Sequence, residues 1–296
     1  MSARPPAPTI GDVVAEAVRT LVRSLTELEP AVRADVPDSV HRMRVVARRL
    51  RAVLRTYRHV LDPARSRTIC RELAWAAREL GAARDAEIVA EALVAEAAEV
   101  PADEIVGPIA TALPEAAALR YAAARFRVLA CLDSSRYRAL RAELAAGPPP
   151  GAHAGRPADA ELPHALRHAV RGLRRARESA ERAEGAERDL ALHELRKQVK
   201  RLRYATDLAV AALGAPAVAV LEALTPLQRL LGDRQDTVVI RTVLRELAAE
   251  ADARGESAFT YGVLHARQTA RAAALESELD AVLRRADDRL RAALPG

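Results

Sequence analysis

The feature that most constrains the fold of this chain is an internal duplication. The stretch Val40–Tyr57, VHRMRVVARRLRAVLRTY, returns as Leu192–Tyr204, LHELRKQVKRLRY. His41 matches His193, Arg44 matches Arg196, Arg48 matches Lys200, Arg49 matches Arg201 and Arg51 matches Arg203, each pair 152 positions apart (193 minus 41). At the same spacing Ile10 matches Leu162, Val14 matches Leu166, Arg19 matches Arg171 and Arg23 matches Arg175. LGAARD at 80–85 is echoed by LGDRQD at 231–236, one residue short of that spacing. A repeat of this extent sets the architecture before any single motif does.

Each copy of the basic stretch sorts as an amphipathic helix. At about 100° per residue, His41, Arg44, Arg48, Arg51 and Arg55 fall on one stripe, with Met43, Val46, Leu50, Val53, Leu54 and Tyr57 on the opposing face. His193, Arg196, Lys200 and Arg203 separate from Leu195, Val199, Leu202 and Ala209 in the same way. From His41 to Arg58 there are seven arginines and no acid. Like charges at i,i+3 and i,i+4 cost roughly 0.2–0.5 kcal/mol per pair, so the first row costs about 1–2 kcal/mol unless something neutralises it. Acids from neighbouring helices would make the row a plain surface face; their absence would make it a site for a polyanion.

Helix signals fill the remainder. Thr9 is placed to cap a helix from Ile10 to about Glu29, closed by Pro30, and Asp38 or Ser39 to cap the Arg-rich helix. A third helix is expected from about Ala64 to Val100 and a fourth from Pro114 to Ala146. Gly147–Glu161 reads as a Pro/Gly linker, and four more helices are expected at about 163–184, 187–213, 216–252 and 257–293. No segment alternates with period two, so the expected fold is all-α: two four-helix bundles, 10–146 and 162–293, related by an internal pseudo-two-fold. Residues 1–9, rich in proline, are expected to be disordered.

Composition narrows the function. The net charge of +6 favours an anionic partner without choosing one. Lys197 and Lys200 are the only lysines, and arginine suits bidentate contacts to phosphate. Cys70 and Cys131 have neither metal-ligand spacing nor a disulfide framework, and MSARPPAPTI has no apolar signal core; a cytoplasmic protein off the membrane is expected. No cofactor, metal or catalytic residue is expected. Paired Glu-x-x-His turns are lacking, and a phosphotransfer reading of His193-Glu194 finds no acid after His41 and no Gly-rich nucleotide loop. Nucleic acid is the competing partner, but aromatics are only 3% and single strands are usually held on aromatic platforms.

The two His-x-x-Arg-x-x-x-Arg/Lys-Arg-x-Arg segments, each followed by LG-x-x-x-Asp, resemble the CHAD domain, a helical family named for its histidines. The resemblance runs from about Ile10 to Leu290. It implies two four-helix bundles that bind inorganic polyphosphate through basic surface residues, without catalysis, and an association with polyphosphate granules. Carried over by position, it implicates His41, Arg44, Arg48, Arg49 and Arg51 with His193, Arg196, Lys197, Lys200, Arg201 and Arg203. Arg55 joins these from the stripe, and Arg19, Arg23, Arg171 and Arg175 from the repeat. Arg49 and Arg201 lie about 100° off the stripe, which assigns them to a second groove or to pairing with acids. Asp85 and Asp236 are expected to tether arginines or cap helices.

Overall fold

A computed structural model describes residues 8–107 and 109–294. Among them the fold is all-helical, with no β-strand. The helices are α1 (Ile10–Arg33), α2 (Ser39–Thr56), α3 (Pro63–Ala98), α4 (Ile109–Asp133), α5 (Ser135–Ala146), α6 (Ala158–Arg182), α7 (Gly185–Leu213), α8 (Ala215–Ala253) and α9 (Phe259–Ala293). A single 3₁₀ turn, Ala102–Glu104, lies between α3 and α4.

Several boundaries differ from the sequence reading, each for a local reason. Helix α1 runs past Pro30 to Arg33, because a proline in the last turn forfeits one amide donor while its carbonyl still accepts from Ala34 N at 2.9 Å. Thr9 caps α1 as expected, in a reciprocal box with Asp12. Asp38 precedes α2 with φ 62° and makes no side-chain cap bond. The expected fourth helix is two, α4 and α5, broken at Ser134. The Ser134 hydroxyl donates to Cys131 O at 2.7 Å and accepts from Tyr137 N at 3.1 Å. The plan of four helices and four is therefore five and four. Of the segment 1–9, residues 1–7 lie outside the described residues; Pro8 and Thr9 are in place, Pro8 O accepting from Ala158 N at 3.1 Å.

The two halves meet counterpart on counterpart: α1 against α6, α2 against α7 and α3 against α8, the α2–α7 contact being the most extensive. Their cores are continuous, since one buried cluster includes Ile10, Met43, Leu50, Leu140, Leu162, Leu195, Leu202 and Leu290. Burial of the predicted apolar faces drives this: Met43 and Leu50 on α2, Tyr57 just after it, and Leu195, Val199, Leu202 and Ala209 on α7 are each 0% exposed. The Tyr57 hydroxyl donates to Ala205 O at 3.0 Å across the seam. A smaller core joins the far ends of α3, α4, α8 and α9 through Leu93, Leu113, Leu244 and Leu264.

The Pro/Gly segment after α5 is stitched down. Asp62 N donates to Pro149 O at 2.8 Å, Gly151 N to Val60 O at 2.7 Å, Gly11 N to Ala154 O at 2.8 Å and Ile10 N to Arg156 O at 2.8 Å. Approach is so close that a Cβ on Gly151 would lie 2.6 Å from Leu61 O, and one on Gly11 2.8 Å from Ala154 O. Helix α6 starts at Ala158, inside the expected linker.

Candidate anion-binding site

Packing α2 on α7 turns the two predicted basic rows towards one another. The apolar faces hold both helices down, which leaves Arg44, Arg48, Arg196 and Lys200 half-buried along the seam. They lie close enough to act on one another. Burial, and then the charges of Arg196, Arg48 and Arg44, push the Lys200 amine down to about 6. Burial together with Arg44 and Arg196 lowers Arg48 to about 10, and burial likewise lowers Arg196.

Among the described residues two carboxylates reach this cluster, both from the repeated LG-x-x-x-Asp motif. Asp85 on α3 lies 3.4 Å from Arg44, and the Arg44 side chain passes over Gly81 with Nε 3.6 Å from where a Cβ would stand. Asp236 on α8 faces Arg196 and Lys200; its carboxyl is raised by burial against the opposing pull of those cations. Asp85 tethers Arg44, as expected, whereas Asp236 acts on Arg196 and Lys200 through its charge. At neutral pH three guanidinium groups and a largely uncharged Lys200 amine face these two carboxylates, which leaves the seam a narrow positive excess, and the Arg196 Nε is buried with no hydrogen-bond partner.

The two histidines differ. His193 Nδ1 is 2.7 Å from Gln235 Oε1, an internal hydrogen bond. His41 Nδ1 is buried without a partner. Both imidazoles are held below their ordinary pKa, first by burial, then by Arg84, Arg44 and Lys200 around His41 and by Lys197 and Arg196 around His193.

The remaining predicted residues are dispersed. Arg49 is quenched by Asp207 at 2.7 Å and sits 5.9 Å from the Tyr204 ring centroid. Lys197 pairs with Glu194 on its own helix at 3.0 Å, and Arg19 with Glu16 at 2.7 Å. These three guanidinium or ammonium groups already hold a carboxylate, and the Arg49–Asp207 pair itself bridges α2 and α7. Arg23, Arg171 and Arg175 are exposed, Arg171 being 3.4 Å from His168 Nδ1; Arg203 is partly buried on α7. Arg51, Arg55 and Arg201 face a separate cavity beside α3.

Two neighbours of the cluster escaped the sequence reading. Arg84, which donates to Glu87 at 3.0 Å, acts on His41, and Gln235 orients His193. Both lie inside the repeated LG motif beside its aspartate, so the motif itself was the available signal.

The class defined by these features is an all-helical, internally duplicated protein with a basic seam between matching helices. The family model for the CHAD domain matches residues 16–245, and the chain belongs to that family. It is 35% identical over 293 residues to two Mycobacterium tuberculosis proteins, from strains CDC 1551 and H37Rv, each described as uncharacterised. The match covers 98% of this chain and 55% of either relative, so the chain spans about half their length. Among solved structures it is similar to PptA from Streptomyces chartreusis (TM-score 0.75, 20% identity, 94% of this chain and 100% of that one). It is also similar to the CHAD domain of the plant Ricinus communis (TM-score 0.70, 24% identity, 97% of this chain and 92% of that one). At those identities the two structures speak to the fold. Among the described residues no helix is long and apolar enough to cross a membrane.

Proposed function

We propose that this chain binds inorganic polyphosphate along the α2–α7 seam, without chemically altering it, and that it acts at polyphosphate granules. The observation that carries the reading is the seam itself, where Arg44, Arg48, Arg196 and Lys200 converge from both copies of the repeat and, among the described residues, the carboxylates of Asp85 and Asp236 act on them. Membership of the CHAD family supports it, through the polyphosphate binding that the sequence resemblance implies. A chain of phosphates with no bases needs a row of cations and no stacking platform. Tyr57 is buried and hydrogen-bonded, and Tyr204, which lies beside Arg49 and acts on Arg48 and Arg196, is a single ring rather than a stacking row.

Calorimetric titration with long-chain polyphosphate at two salt concentrations tests the proposal. Affinity should fall steeply with salt, by analogy with the single-strand slope of about 0.7 per phosphate neutralised. Replacing Arg44, Arg48, Arg196 and Lys200 by Glu should abolish binding while circular dichroism stays helical. Tight binding by that variant sinks the proposal, and so does duplex DNA displacing polyphosphate at matched phosphate concentration.

A further inference from the structure

Beside the seam lies a cavity of about 570 Å³, walled by the end of α2, Arg58 and His59 of the turn that follows, the start of α3 and one residue of α7. Its cations are Arg51, Arg55, Arg58, Arg67, Arg71 and Arg201, and no Asp or Glu lines it. Among the described residues only Arg71 of these six has a carboxylate within reach, Glu72 at 3.5 Å, which Arg136 already holds at 2.6 Å. Arg201 is aimed by weak bonds to Thr56 Oγ1 at 3.5 Å and Arg55 O at 3.4 Å.

The duplication does not account for this concentration of charge. At the spacing of 152, Arg55 matches Asp207 and Arg58 matches Val210. At the spacing one shorter that relates the LG motifs, Arg67 matches Val218 and Arg71 matches Glu222. The second half thus cancels what the first half accumulates. Arg49 meets Asp207 at 2.7 Å, whereas Arg201, its match, meets Arg55 instead.

We propose that this α2–α3 pocket is a second, one-sided anion site for a compact organic oligophosphate, of the nucleoside triphosphate class. Its volume is that of a small-molecule site. Guanidinium forks hold phosphoryl oxygens in pairs. Pro63, Ala74 and Cys70 also line it, giving apolar surface that a carbon body uses and a bare phosphate chain does not. The pocket stands on its own geometry, apart from the polyphosphate reading.

Titration of the full chain with ATP and, separately, with tripolyphosphate tests it. ATP should bind more tightly than tripolyphosphate. Arg67 and Arg71 are exposed and outside the seam. The R67A/R71A variant should weaken ATP by roughly tenfold or more, the scale of lost charged hydrogen bonds, while long-chain polyphosphate changes less than about twofold. In the unaltered protein ATP should slow alkylation of the half-buried Cys70, with buried Cys131 as the control. No ATP binding, full ATP affinity in R67A/R71A, or no protection of Cys70 overturns the site. Tripolyphosphate binding as tightly as ATP overturns the organic body. Failure of polyphosphate to bind the seam leaves all of these readings intact, so the two proposals fall separately.

Discussion

At the residue scale the most consequential group is Lys200, one of only two lysines in the chain. Half-buried among three arginines, its amine falls from an ordinary 10.5 to about 6, so at neutral pH the free protein holds it uncharged. Between about pH 6 and 10.5 the unfolded chain therefore binds the extra proton, and the contribution of Lys200 to stability rises with pH across that window. A Lys200→Met variant should lose that slope in denaturant midpoints measured from pH 6 to 9. A phosphate chain laid on the seam restores the charge. Binding at pH 7 should then take up about one proton, seen as a dependence of calorimetric enthalpy on buffer ionisation, and affinity should rise as pH falls from 8 to 6. In H41A/H193A most of this dependence should survive; its loss there would shift the role to the imidazoles. The spacing in the sequence showed which cations share a stripe. It did not show that Asp207 quenches Arg49, or that Gln235 holds His193, because those partners come from helices far along the chain.

At the scale of elements, periodicity found the helical segments but ran α4 and α5 together as one. Ser134 ends α4 and caps α5, and the pattern LDSSRY lacks the Gly or Pro that usually announces such a stop. Ser134→Ala should cost about 1 kcal/mol, read from urea midpoints, with little change in helicity. The other misreading was of the segment after α5. Its prolines and glycines suggest a free linker, yet its backbone is bonded at Pro149, Gly151, Ala154 and Arg156. Gly151→Ala should destabilise by more than Ser134→Ala, since the new methyl meets the Leu61 carbonyl at 2.6 Å and backbone must move. Composition could not reveal this, because close approach is a property of the folded neighbours.

At the scale of the whole molecule, the repeat announced matching halves and the structure joins them through a continuous core. Unfolding followed by calorimetry and by circular dichroism should give one coincident transition; two separated transitions would show that the halves hold their folds independently. The short stretch from Gly147 to Pro157 has a further consequence for anyone editing this protein. By composition it is the obvious place to cut, lengthen or insert a reporter, but it behaves as a fixed-length brace laid from the α2–α3 turn to the start of α1. A single added residue there would pull its anchor points out of step. The exposed turn around Arg254 and Gly255, between α8 and α9, is the safer opening.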